Sequence, residues 1–171
     1  MEIDHFLYGG RRDWSQPFRA LVAGSGTGDG LIMLAQKLAD IGCPAEISYL
    51  DMSEASRAVA EARAAARGLG SIRFVTGDLL SAPELGRFDY IDCCGVLHHL
   101  PDPDAGFAAL AEALAPGGGI GLMVYAPYGR TGVYPLQAAF GRLLRDDPPA
   151  EQVRLALAAL ARHVAAKGGS A

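Results

Sequence analysis

The sequence predicts an α/β fold, a doubly wound parallel sheet in the strand order 3-2-1-4-5. Three observations predict it. Five short apolar runs alternate with segments of helical periodicity, which implies parallel strands joined by crossover helices. The fifth run, Ile120-Gly-Leu-Met-Val-Tyr125, is nearly all apolar, as expected of a strand buried on both faces. The first run meets alternating glycines at Gly24, Gly26 and Gly28, and a helical pattern begins at once. Right-handed crossovers then leave a crevice at the strand C-termini, between the first and fourth strands where the order reverses.

The elements follow in order. Residues 1–18 carry Phe6, Leu7, Tyr8, Trp14 and Phe18 around Gly9-Gly10-Arg11-Arg12. They read as an arm with one short helix that packs by its aromatics, anchoring to the surface or covering a substrate site. Ala20–Ala23 is the first strand; Leu31, Leu34, Ala35 and Leu38 recur at helical spacing until Gly42 and Pro44 end the helix. Ala45–Leu50 is the second strand, with Asp51 at its tip and Met52 beside it. Ser53 is a natural N-cap, and Ala55, Val59, Ala62 and Ala66 form one face of the helix it opens. Ser71–Thr76 is the third strand, ending at Gly77-Asp78-Leu79, and a loop over Ser81–Arg87 leads to the fourth, Phe88–Cys94. Asp102-Pro103 supplies a cap and a first-turn proline to a helix carried by Phe107, Leu110 and Leu114. After the fifth strand comes a tyrosine-rich loop, then helical segments over Leu136–Leu144 and around Val153, Leu157, Leu160 and Val164. No further strand is legible. The expected division is an arm (1–18), a binding domain (19–145), and a C-terminal helix with a short flexible tail (146–171).

Composition narrows the class. The chain has 171 residues, 50% hydrophobic and 20% charged, the balance of a soluble globular domain. A net charge of −4 argues against a broad nucleic-acid footprint. No apolar run reaches membrane-spanning length, and Met1-Glu-Ile-Asp-His does not open a signal peptide. Three cysteines are too few for a disulfide framework, so a cytoplasmic setting is expected.

The glycine turn is spaced G-x-G-x-G rather than G-x-G-x-x-G, which favours a nucleoside without a pyrophosphate; alone it does not choose between that and a dinucleotide. Asp51 lies about 20 residues on, where a carboxylate accepts from ribose hydroxyls or simply caps. Asp78 suits an adenine amino group or a loop cap. Gly24–Gly28, Asp51, Asp78 and Cys93–Val96 all end strands and are expected to ring one crevice. The pairs Cys93-Cys94 and His98-His99 do not make a metal site, because adjacent strand residues point to opposite faces. A reactive thiol has no cationic partner in the sequence.

Taken together, Gly24-x-Gly26-x-Gly28, Asp51, Gly77-Asp78-Leu, Phe88-Asp-Tyr, Val96-Leu-His-His-Leu-Pro-Asp102-Pro and Leu114-Ala-Pro-Gly-Gly resemble class I S-adenosylmethionine-dependent methyltransferases, over residues 19–126. The resemblance implies a Rossmann-like fold and S-adenosylmethionine as cofactor, with S-adenosylhomocysteine as product. It implies that Gly24, Ser25, Gly26, Thr27 and Gly28 contact the methionine moiety. Asp51 with Met52 would hold the ribose, Asp78 with Leu79 the adenine, and Cys94, Gly95 and Val96 would flank the methionine and methyl. His98 is the candidate general base, with loop positioning as its other role. Tyr125, Tyr128, Arg130 and Tyr134 are candidates for the acceptor side.

Two departures stand out. The family usually has an acid two residues before the first glycine, where this chain has Val22. The antiparallel sixth and seventh strands of the family also appear nowhere in the sequence, which leaves the fifth-strand edge for self-association or a partner domain. The expected activity is methyl transfer to a small-molecule or protein acceptor. A non-catalytic binding or assembly module and a nicotinamide-dependent oxidoreductase are the alternatives.

Overall fold

The computed structural model describes residues 2–168. Its strands are β1 (Phe18–Ala23), β2 (Ala45–Asp51), β3 (Ile72–Thr76), β4 (Phe88–Cys94) and β5 (Leu114–Met123). They form one parallel sheet in the order β3-β2-β1-β4-β5. Val22 stands opposite Tyr49 of β2 on one side and Asp92 of β4 on the other.

Alternation along β1 feeds two cores. Phe18, Ala20 and Val22 pack with Leu31, Leu34 and Leu38 of helix α2 (Asp29–Asp40). Leu21 and Ala23 pack on the other face with Leu50, Ile91, Leu97 and Leu110. Helix α3 (Glu54–Ala65) is capped by Ser53, whose hydroxyl accepts from Ser56 N at 3.1 Å. Helix α4 (Pro103–Glu112) is capped by Asp102, which accepts from Asp104 N and Ala105 N.

Several expectations are corrected. The inward face of α3 is Ala60 and Ala64, while Val59 is exposed. Alanine occupies every side of this helix, so its pattern carries too little contrast to mark a face. On α4 the packed positions are Gly106 and Leu110, and Phe107 points outward. A Cβ at Gly106 would lie 2.7 Å from Leu100 Cδ2, so the closest approach of α4 is made by a glycine. Leu114 belongs to β5, not to α4, and the Leu79–Leu85 stretch is a 3₁₀ turn rather than open loop. β5 is not buried on both faces: Leu122 is 42% and Met123 45% exposed at the sheet edge.

The arm forms helix α1 (Glu2–Tyr8) and does pack by its aromatics. Ile3, Tyr8 and Trp14 lie on the α2-side core, and the Arg12 guanidinium sits 4.7 Å from the Phe18 ring centroid. This cluster lies at the start of β1, the opposite end of the strand from Gly24. These contacts anchor the arm to the sheet.

The chain divides into two compact units, the first through Val124 and the second from Tyr125. The second contains helices α5 (Val133–Leu143) and α6 (Pro149–Gly168). Among the described residues no strand follows β5, as the sequence predicts. Residues 169–171 of the expected tail lie outside the described residues. No described helix is long and apolar enough to cross a membrane.

Candidate active site

β1 leaves the sheet through three glycines with positive φ: Gly24 (70°), Gly26 (53°) and Gly28 (91°). Each has a different neighbour. A Cβ at Gly24 would land inside the Val96 side chain, and one at Gly28 would lie 2.9 Å from Ala60 Cβ. At Gly26 a Cβ would meet no atom within 4 Å. The outer two glycines therefore serve close packing, and the middle one faces open space. Gly28 precedes α2 with no side-chain cap, which leaves the first N–H groups of that helix available to a ligand.

The tip of β2 holds the turn. Gly24 N donates to Leu50 O at 2.7 Å, and Gly26 N donates to Asp51 Oδ2 at 2.8 Å. The Tyr49 hydroxyl donates to Gly26 O at 2.6 Å, so both backbone groups of Gly26 are gripped from one strand. Burial, with Asp51 nearby, pushes the Tyr49 phenol up to about 12 and keeps it a donor. Asp51 Oδ1 accepts from Ser53 N at 2.9 Å. Thr27 is exposed, and its carbonyl accepts from Arg63, which also pairs with Asp29 at 2.6 Å.

The remaining predicted residues fall in three places. Gly77 N donates to Asp51 O at 2.9 Å, joining the β2 and β3 tips. Asp78 caps the 3₁₀ turn through Leu80 N at 2.8 Å; Leu79 is buried and Met52 exposed. Cys94, Gly95 and Val96 end β4, with Gly95 at φ 81° and its N–H on Met123 O. Val96 reaches Gly24, which brings the β1 and β4 ends together. His98 lies in the 3₁₀ turn Leu97–His99, its ring 4.2 Å from that of His99. Tyr125, Tyr128, Arg130 and Tyr134 belong to the second unit. There Arg130 stacks on Tyr125 at 3.8 Å and reaches Tyr134 at 5.8 Å.

Cys93 leaves the expected ring of residues. It is fully buried in the core on the far face of β4, whereas Cys94 is exposed. Burial pushes the Cys93 thiol up to about 12, and burial with a hydrogen bond to Asp92 pushes Cys94 up to about 11. Neither is a thiolate at neutral pH.

Two contributors escape the sequence reading, Tyr49 and Asp92. Nothing around Tyr49 marks it. Asp92 carries a signal, an acid inside the otherwise apolar run Ile91–Cys94.

A family model described as a methyltransferase domain matches residues 21–120, more than half of the chain. An uncharacterized protein of Synechococcus sp. is 43% identical over 127 residues, covering 73% of this chain and 30% of that protein. A ubiquinone biosynthesis O-methyltransferase of Stutzerimonas stutzeri is 32% identical over 99 residues, covering 50% of this chain and 43% of the relative. Among solved structures, the N-terminal domain of EvdMO1 with SAH bound superposes with a TM-score of 0.54 at 27% identity. That match covers 61% of this chain and 42% of the other. The chain spans less than half the length of each of these relatives. It belongs to the methyltransferase-domain family, of the class I S-adenosylmethionine-dependent type.

Proposed function

We propose that this chain binds S-adenosylmethionine at the β1–β4 crevice and transfers its methyl group to an acceptor by in-line displacement, releasing S-adenosylhomocysteine. The observation that carries the reading is Gly26, open to space and held at both its N–H and its C=O by the tip of β2.

The residues present fit such a ligand. A cavity of about 220 Å³ lies under the turn, lined by Gly24, Ser25, Gly30 and Asp92 among others. The Ser25 hydroxyl beside it is buried with no partner among the described residues. Asp51 accepts two backbone N–H groups, leaving acceptor capacity on both oxygens for a ribose diol. Gly24 to Gly28 would then hold the methionine end, Asp51 and Met52 the ribose, Asp78 and Leu79 the adenine, and Cys94 to Val96 the region of the methyl.

The bound cofactor supplies an electrophilic methyl on a sulfonium with a neutral leaving group. The protein's own work is orientation and exclusion of water, worth several kcal/mol of barrier. The likeness to a ubiquinone biosynthesis O-methyltransferase supports an oxygen acceptor on a small molecule rather than a protein. An oxygen acceptor must lose a proton, and His98 is the residue we assign to receive it. Tyr125, Tyr128, Arg130 and Tyr134 are assigned to the acceptor, and the β5 edge to a second copy or a partner domain. The bacterial relatives support a bacterial source, and a cytoplasmic setting is part of the same proposal.

The test is titration calorimetry with S-adenosylmethionine and S-adenosylhomocysteine, followed by labelled methyl transfer to a panel of phenols. Micromolar binding with transfer supports the proposal. Binding without transfer to any phenol or extract component would reduce the chain to a binding module. No binding of either compound overturns the reading.

A further inference from the structure

We propose that Asp92 receives the ammonium group of the cofactor's methionine moiety, supplying from β4 the carboxylate that β1 lacks at Val22. The inference rests on S-adenosylmethionine being the ligand and names the residue that fixes its cationic end.

Four observations carry it. Val22 and Asp92 are opposite residues of neighbouring parallel strands, so their side chains leave the same face of the sheet. Val22 is spent on the α2 core, 2% exposed. Asp92 is half-buried and lies against the first turn of α2: a Cβ at Gly30 would sit 2.9 Å from its Oδ2. The same carboxylate lines the cavity of about 220 Å³ beneath Gly24 and Ser25.

The chemistry of that cavity is selective. Asp92 makes no ion pair with any described cation, and its hydrogen bond comes from the Cys94 thiol, a weak donor. A carboxylate drawn partly out of water needs a stronger partner than that. The Ser25 hydroxyl in the same cavity offers a second acceptor. A carboxylate and a hydroxyl converging on one small cavity match a primary ammonium, which donates three hydrogen bonds and accepts none. A carboxylate ligand group would instead be repelled by Asp92 and drawn to the free N–H groups of α2. S-adenosylmethionine and S-adenosylhomocysteine each carry one ammonium, on the methionine moiety.

The experiment measures binding rather than turnover. Calorimetry compares three ligands on the wild-type chain and on Asp92→Asn: S-adenosylhomocysteine, its analogue with the α-amine replaced by hydrogen, and 5′-methylthioadenosine. Removing the amine is expected to weaken wild-type binding at least tenfold and Asp92→Asn binding less than twofold. Methylthioadenosine is expected to bind both proteins equally. Moving the acid back across the register, Val22→Asp with Asp92→Val, is expected to recover part of the amine's contribution. An amine effect that persists on Asp92→Asn overturns the proposal while leaving the cofactor reading intact. So does an equal loss for all three ligands, which would mark Asp92 as merely structural. Should Asp92→Asn fail to fold, a wild-type chain indifferent to the amine overturns the proposal by itself. Failure of the wild-type chain to bind any of the three removes the cofactor reading, and the role of Asp92 with it.

Discussion

At the tip of β2, Asp51 accepts the backbone N–H groups of Gly26 and Ser53 with its two carboxylate oxygens. On the other side of β1, Asp92 of β4 accepts a thiol and faces a cavity. Both are acids at or near the C-terminal end of a strand that flanks β1, and both are half-buried. They differ in what the chain provides them. Asp51 builds the turn and keeps spare acceptor capacity for a ligand. Asp92 holds no backbone group among the described residues, and a Cβ at Gly30 of α2 would sit 2.9 Å from its Oδ2. One side of the crevice is thus organised by the protein's own hydrogen bonds, and the other side is shaped for a charge that comes from outside.

Gly24→Ala attacks both sides at once and should have the largest effect. A left-handed alanine costs about 1–2 kcal/mol, and overpacking against Val96 adds about 1–3 kcal/mol. Urea unfolding should show the sum, and cofactor binding should be lost with it. An unchanged unfolding midpoint would mean the turn is not held as described.

Asp51→Ala separates the two sides. It removes an acceptor from two backbone N–H groups, costing about 1–3 kcal/mol of stability, and weakens S-adenosylhomocysteine at least tenfold. Calorimetry beside a melting curve reads both. The contrast with Asp92→Asn is the informative part, because that variant should lose affinity with little loss of stability. Equal stability losses in the two variants would erase the difference drawn between them.

Raising the pH probes the far face of β4. The Cys93 thiol is pushed by burial up to about 12 from 9.0, so the folded protein favours its neutral form. Stability from this group is present below pH 9 and is lost as the pH climbs from 9 toward 12, at about 1.4 kcal/mol per pH unit. Urea midpoints under reducing conditions at pH 8 and pH 10.5 check the sign. Cys93→Ala should flatten that fall, whereas Cys94→Ala, at an exposed position, should leave most of it.

Ser53→Ala is the smallest of the four. It removes the cap of α3, about 1 kcal/mol, and leaves the Asp51 bond to the backbone N–H of residue 53 in place. Stability should fall slightly with affinity unchanged; a large drop in affinity would tie the cap to the binding side.

Much of this is legible in the sequence alone. Ser53 and Asp102 announce their helices because capping is a contact between residues two or three apart. The glycine turn was legible because positive φ is a local demand on residue type. The faces of α3 and α4 were not, since alanine and glycine carry no pattern of size, and close approach selects them for that reason. The apolar run of β5 suggested burial that an edge position does not provide. Asp51 and Asp78 are legible at their strand tips, and their bonds from Ser53 and Leu80 are local caps two residues apart, but the bond from Gly26, 25 residues away, depends on chain geometry that spacing alone does not give.

The sequence by itself determined the alternation of elements, the strand order, the glycine turn and the helix caps. Each is set by preferences acting within a few residues, or by the single handedness allowed to a parallel crossover. Only the tertiary structure decided that Val96 closes against Gly24, that Tyr49 holds Gly26, and that Asp92 shares a face with Val22. Those pairings join residues far apart in the chain, and they follow from strand register, which is fixed by packing of the whole sheet.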